Sequence, residues 1–154
     1  MDLKFEAVVI PVSDVDRAKA FYADTLGWRE DIDYSAASYG EAIGFRNPGS
    51  DSYRIVQLTP PGSACSIHIG KGVSYAEPGS FKNMHLVTSD LVATREDLVK
   101  RGVAVSEPFH FGPEGKTPGL EPSRADYSSY LTFDDPDGNT WVVQEIVKRL
   151  PGRE

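Results

Sequence analysis

Residues 133–146 read FDDPDGNTWVVQEI, an Asp-Pro-Asp-Gly-Asn turn that runs directly into an apolar strand. Proline and glycine within one pentapeptide favour a tight reversal, and the aromatic and β-branched run after it suits a pleated, half-buried surface. A sparer version stands earlier: Thr59 opens TPPG, and the strand-like CSIHIG follows at residues 65–70. The two turns are 76 residues apart (135 − 59). The same offset separates Phe5 from Phe81 and the Ser-Asp pair ending at Asp14 from that ending at Asp90. Three landmarks at one spacing predict an internal duplication.

Each half then reads in the same order. FEAVVIPV at residues 5–12 is strand-like, and Ser13 or Asp14 can cap the helix DVDRAKAFYADTL, which Gly27 stops. Val15, Ala18, Tyr22 and Leu26 share one face of it at helical spacing. Shorter strands are predicted in WREDIDY, EAIGFR, YRIVQL and CSIHIG. The turn-rich KGVSYAEPGS, residues 71–80, reads as a linker. After it come the strand FKNMHLVTSD, the amphipathic helix LVATREDLVKRG, and the strands VAVSEPF, SSYLTF and TWVVQEI. The Gly/Pro-rich FGPEGKTPGLEPSRAD between the last helix and the closing strands reads as a long loop, long enough for a functional lid. The expectation is an α+β chain of two βαβββ modules, residues 1–72 and 73–154, related as pseudo-twins. A single copy would leave an open sheet with a bare face.

Composition bounds the function. A formal charge of −7 and a pI near 4.9 argue against nucleic acid or an anionic membrane as partner, because both call for basic patches. No apolar run approaches the length of a membrane span, and the start MDLKFEAVVIPVSD has no signal-peptide pattern. The lone Cys65 excludes an internal disulfide framework and a Cys-rich zinc site, which fits a cytoplasmic location.

The chain resembles the vicinal oxygen chelate superfamily, which includes glyoxalases, extradiol dioxygenases and bleomycin-resistance proteins. The resemblance is carried by VVIPVSDVDRAKAFYADTLGW, MHLVTSDLVATREDLVKRGVAV and FDDPDGNTWVVQEI, and with the repeat it covers most of the chain. It implies tandem βαβββ modules whose curved mixed sheets close around a cavity, usually paired within or between chains. It also implies a metal site with one ligand from each of four strands. Carried over position by position, those ligands fall on Ala7, Ser66, Asn83 and Val142. Divalent metals need imidazole, carboxylate or thiolate donors, so no metal and no other cofactor is expected at the usual place.

Alternation of strand side chains divides the residues into two sets. Val8, Ile10, Met84, Leu86, Cys65, Ile67, Ile69, Trp141 and Val143 form an apolar set that should pack on helices. The other set holds Ala7, Val9, Ser66, His68, Asn83, His85, Val142 and Gln144, a largely apolar wall with a few neutral polar groups, as a small-molecule pocket needs. His68 and His85 each stand two residues past a vacated ligand position. In order of preference they orient a ligand or bond water, act as acid and base, or hold a relocated metal with Gln144 or a loop carboxylate as third donor. Parity puts Glu145 on the helix side, solvated or salt-bridged. Arg124, with Tyr127 and Tyr130, falls near the pocket mouth, where it clamps a ligand oxyanion or forms a surface salt bridge. Tyr34 and Tyr39 line the pocket or an edge, His110 is a loop residue, and Cys65 lacks a neighbouring base.

Two functional classes fit. One is a metal-independent binder of a small, mostly apolar, aromatic molecule, working by sequestration as drug-resistance proteins do, with Ser66, His68, Asn83, His85, Gln144, Arg124, Val9 and Val142 against the ligand. The other is a lyase, isomerase or cyclase of the same fold that uses the cavity histidines or a relocated metal. A weaker third is a regulatory or scaffold protein with a vestigial pocket. Open sheets with unpaired edges predict a homodimer in either case.

Overall fold

A computed structural model describes residues 1–36 and 53–151. The predicted strand EAIGFR and Tyr39 lie outside the described residues. The chain forms two compact units, Met1–Phe81 with Asp135–Asn139, and Lys82–Asp134 with Thr140–Glu154. No helix among the described residues is long and apolar enough to cross a membrane.

The first unit carries a four-stranded sheet built from β1 (Ala7–Val9), β2 (Arg29–Ala36), β3 (Tyr53–Thr59) and β4 (Ser66–Lys71), in the order β1-β4-β3-β2. β1 runs parallel to β4; the other pairs are antiparallel. Between β1 and β2 lies α1 (Val15–Lys19), which widens into a π-helical stretch (Ala20–Thr25). Asp14 caps it, its carboxylate accepting from Arg17 N at 2.9 Å. Gly27, at φ 74°, ends it, and Trp28 N reaches back to the Tyr22 carbonyl oxygen at 2.9 Å. Val56 and Leu58 pair with Ile69 and Ile67 across β3 and β4. With Ile10, Ala18, Tyr22 and Trp28 they make a buried core.

The Asp135–Asn139 turn belongs to this unit and explains the opening motif. Asp135, 5 % exposed, accepts Asp137 N and Asn139 N on Oδ1 and the Tyr22 hydroxyl and Asn139 Nδ2 on Oδ2, all at 2.8–2.9 Å. Asn139 in turn donates to the Pro11 carbonyl oxygen and accepts Phe81 N. Asp137 accepts from the backbone N–H and hydroxyl of Ser13 and from Arg17. Gly79 passes so near that a Cβ there would sit 2.0 Å from the Asp137 carbonyl oxygen, and its φ of +78° further disfavours a side chain.

The second unit has five strands, β5 (Met84–Thr88), β6 (Phe109–Gly112), β7 (Gly115–Pro118), β8 (Ser129–Asp134) and β9 (Thr140–Glu145), in the order β5-β9-β8-β6-β7. The first four repeat the layout of the first unit, with β5 parallel to β9, so the tandem βαβββ plan holds. α2 (Leu91–Lys100) is capped by Asp90 and ended by Gly102 at φ 79°. Leu91, Leu98, Val103, Leu131, Phe133, Trp141 and Val143 are buried.

Two expectations need correction here. The stretch read as one long loop contains the β6–β7 hairpin, joined by Pro113 and Glu114, with Gly112 paired to Gly115. Its turn residues masked short strands, and Pro118 is tolerated because β7 is an edge. His110 is therefore a strand residue, its Nδ1 bonded to the Gly119 carbonyl oxygen at 2.8 Å. The predicted strand VAVSEPF is reduced to one bridge, Val105 to Phe133: Thr132 N bonds the Ser106 hydroxyl in place of a carbonyl.

Tyr22→Phe should lower stability by about 1–3 kcal/mol, because a buried carboxylate oxygen loses a donor. Urea unfolding checks this, with the midpoint moving and the slope unchanged.

Candidate functional site

The sheet face opposite the core of the first unit carries a connected set of polar side chains. Register places Ser66 opposite Ala7, and His68 opposite both Val9 and Gln57. Between Glu30 and Ile32 the β2–β3 register slips, leaving Asp31 as a bulged residue. A bulge re-aims a side chain, and Asp31 turns onto its neighbours. Its Oδ1 accepts Arg29 Nε at 2.5 Å; its Oδ2 accepts Gln57 Nε2 at 3.2 Å and the Thr59 hydroxyl. The Ser66 hydroxyl bonds that of Thr59 at 2.6 Å, and His68 Nε2 bonds Gln57 Oε1 at 2.9 Å. Donors from Arg29 first, then Thr59 and Gln57, hold the Asp31 carboxyl at about 2. Burial pushes the His68 imidazole down, against a weaker pull upward from the Glu6 charge, so the ring is held towards its neutral form. Asp31, Gln57 and Thr59 were not singled out in the sequence. Parity from Leu58 and Val56 could have found Gln57 and Thr59, but nothing local announced the bulge.

The corresponding face of the second unit is aromatic. Phe109 stacks on Tyr130 with ring centres 5.6 Å apart, Phe111 meets both edge-on, and Lys116 Nζ lies 4.1 Å above the Phe109 ring. Phe111 is 63 % exposed. Tyr130 pairs with Gln144, and Thr132 with Val142, so these share the face. Gln144 Nε2 donates to the Tyr127 carbonyl oxygen at 2.9 Å and to Tyr130 Oη at 3.3 Å, while Tyr130 donates to the same carbonyl at 2.6 Å. A cavity of about 380 Å³ lies beside the stack, lined by Ser106, Glu107, Pro108, Phe109, Lys116 and Pro118.

The repeat arithmetic fails at one strand. The 76-residue offset put Asn83 opposite Val142, yet the residue opposite Val142 is His85, as Ala7 is opposite Ser66. Thus β5 is shifted by two residues (85 − 7 = 78). Asn83 sits just before β5 at φ 59°, outside the pleat, and its carbonyl oxygen accepts His85 Nδ1 at 2.8 Å. Even so, neither cross-strand pair supplies two metal donors: Ala7 with Ser66 has none of the preferred kind, and His85 with Val142 has one. Among the described residues no group of three His, Cys, Asp or Glu converges as a metal-binding set. The residues present do not fit the family's divalent metal.

Arg124 is engaged elsewhere. Its guanidinium grips Glu145 in a two-point pair of 2.6 and 2.5 Å, and Glu145 also accepts Leu91 N at 2.8 Å, closing the start of α2. Asp126 accepts Val147 N, and Tyr127 Oη accepts Leu150 N, so this stretch is tied to the chain leaving β9. Tyr34 lies on β2, half exposed, opposite Ile55. Burial, then the Glu6 charge, pushes the Cys65 thiol up, which opposes thiolate formation.

The model of the Glyoxalase/Bleomycin resistance protein/Dioxygenase superfamily matches residues 4–143. None of the curated proteins matches the chain. Among solved structures, the chain resembles TnmS3, an antibiotic binding protein from Streptomyces sp. CB03234, at 28 % identity and TM-score 0.64, covering 94 % of this chain and 97 % of that one. A glyoxalase/bleomycin resistance protein from the same organism is 27 % identical at TM-score 0.64, over 92 % and 100 % of the two chains. A superfamily member from Sphaerobacter thermophilus DSM 20745 is 26 % identical at TM-score 0.64, over 94 % and 98 %.

The Glu145 carboxyl is held below its usual range, by Arg124 first and against burial. A depressed folded pKa gives stability that is present above the unfolded value and lost as pH falls through the folded one. Arg124→Ala should therefore lower stability near neutrality, by leaving a buried carboxylate short of donors. The gap to the parent should narrow once Glu145 is protonated. Thermal unfolding at pH 7 and pH 3 measures both.

Proposed function

Because the chain belongs to the Glyoxalase/Bleomycin resistance protein/Dioxygenase superfamily, and its own residues do not fit that family's metal, we propose that it binds a small, mostly apolar aromatic molecule without a metal and sequesters it. The observation that carries this reading is the partly exposed stack of Phe109, Tyr130 and Phe111, with Gln144 on the same face. Aromatic side chains supply contact area and preferred ring geometry for a flat ligand, and the amide supplies orientation. The similarity to TnmS3, an antibiotic binding protein, supports a small-molecule ligand. On the second unit's own face His85, Val142 and Gln144 are the proposed contacts; on the first unit's own face, taken by itself, they are Ser66, His68 and Val9. Asn83 contributes through its hold on His85, and Arg124 through the Glu145 pair.

An enzyme of the same fold is the second reading. It is favoured by one observation: burial pushes His68 towards its neutral form, with one ring nitrogen bonded to Gln57 and the other without a hydrogen-bond partner among the described residues, as a general base requires.

The test begins with metal analysis of protein purified without chelator, followed by native mass spectrometry against a panel of aromatic antibiotics and calorimetric titration of a hit. Phe111→Ala should weaken a ligand bound on the second unit's face, and His68→Ala one bound on the first unit's face, each about tenfold, equivalent to roughly 1.4 kcal/mol. Unchanged affinity in both, with intact circular dichroism, rejects the assignment. Chemical conversion of the hit, abolished in His68→Ala, would favour the enzyme.

A cytoplasmic homodimer belongs to the same proposal. Among the described residues, β1 and β2 in one sheet, and β5 and β7 in the other, are edge strands, and such edges are usually covered. Light scattering should give twice the chain mass; a monomer at high concentration contradicts it.

A further inference from the structure

On the first unit's face the hydrogens run one way. The ionised Asp31 carboxylate can only accept. Gln57 Nε2 therefore donates to it, which fixes Gln57 Oε1 as the atom facing His68. That oxygen also only accepts, so the His68 Nε2 bonded to it must carry a proton. The Thr59 hydroxyl has given its proton to Asp31, so in the 2.6 Å contact Ser66 is the donor. What remains on His68 and Ser66 is acceptor capacity: the Nδ1 lone pair of a neutral ring, and the lone pairs of Oγ.

We propose that this relay anchored on Asp31 locks His68 in the Nε2–H form, so that Nδ1 faces a ligand as an acceptor and the protein selects aromatic molecules that present a hydrogen-bond donor, a phenolic hydroxyl above all. The proposal rests on the reading of this face as part of the ligand wall. It excludes anionic oxygens from the His68 position, because two acceptors repel, and it disfavours ethers, which leave the buried lone pair without a partner. The second unit repeats the polarity by another route. His85 Nδ1 donates to the Asn83 carbonyl oxygen, so Nε2 is the ring nitrogen left for other contacts. Gln144 spends its N–H groups on Tyr127 and Tyr130, leaving Oε1.

The test is nitrogen-15 NMR of the full chain labelled at histidine, with His68 assigned by comparison with His85→Asn and His110→Asn. His68 should show one fixed form, protonated at Nε2 and bare at Nδ1. Gln57→Leu and Asp31→Asn should both move its shifts towards those of a freely exchanging ring. A ring protonated at Nδ1 in the parent, or shifts unchanged in both variants, overturns the relay. Titration with p-cresol and with 4-methylanisole then tests selection. The phenol should perturb Nδ1 and bind about tenfold tighter than its methyl ether. Equal binding of the two overturns donor selection while leaving the ligand wall in place. A locked ring that neither probe perturbs overturns the ligand wall itself, and the proposal with it.

Discussion

A buried carboxylate at the last hairpin turn sets the geometry on which the rest depends. Asp135 has acceptor capacity only, and it gathers four donors: two backbone N–H groups of its own turn, the Asn139 amide and the Tyr22 hydroxyl. Each bond fixes something different. The backbone pair shapes the turn, which sets Phe133 against Trp141 in the strands on either side. Tyr22 fixes the helix of the first unit at its widened turn, where the ring also rests 5.0 Å from Trp28. Asn139 extends the hold to Pro11 and Phe81. Burying so polar a centre is tolerable only when each lone pair has a partner.

The same device recurs at two other carboxylates, each time with a different outcome. Glu145 gathers Arg124 and the Leu91 N–H, and so joins the end of β9 to the start of α2. Asp31 gathers Arg29, Gln57 and Thr59 on the open face of the first sheet, where the result is a polarised surface rather than a closed joint. An acceptor-only group dictates the direction of every hydrogen bond that reaches it. In the buried hubs that direction serves stability. On the exposed one it decides which acceptor atoms are left unused.

The division of labour between sheet faces follows from the pleat. Val56, Leu58, Ile67 and Ile69 are bound to the core, so their alternates Gln57, Thr59, Ser66 and His68 are free to carry chemistry. In the second unit Leu131, Phe133, Trp141 and Val143 do the packing, while Tyr130, Thr132, Val142 and Gln144 face the other way. Among the described residues no three metal-donor side chains converge on these faces. Neutral polar groups and aromatic rings stand there instead, beside an unaltered packed side.

The sequence by itself determined the duplicated βαβββ plan, a cap for the first helix at Ser13 or Asp14, the glycine stops, and, Asn83 apart, which strand residues share a face. All of these follow from local rules: spacing, turn chemistry and period-two alternation. It also carried His68 and Ser66 onto the open face of the first sheet and Gln144 onto that of the second. Only the tertiary structure decided the rest. The β6–β7 hairpin was hidden because glycine and proline outweighed strand signals only four residues long. The two-residue shift of β5, which puts His85 where the repeat promised Asn83, depends on the left-handed turn at Asn83 and on pairing with a strand some sixty residues away. The bulge that swings Asp31 onto Gln57 and Thr59 is a property of the β2–β3 ladder, not of either strand. Arg124 finds Glu145 only because its own backbone takes a left-handed turn beside β9. Register, bulges and the direction of hydrogen bonds are set between segments, and no window of sequence contains both partners.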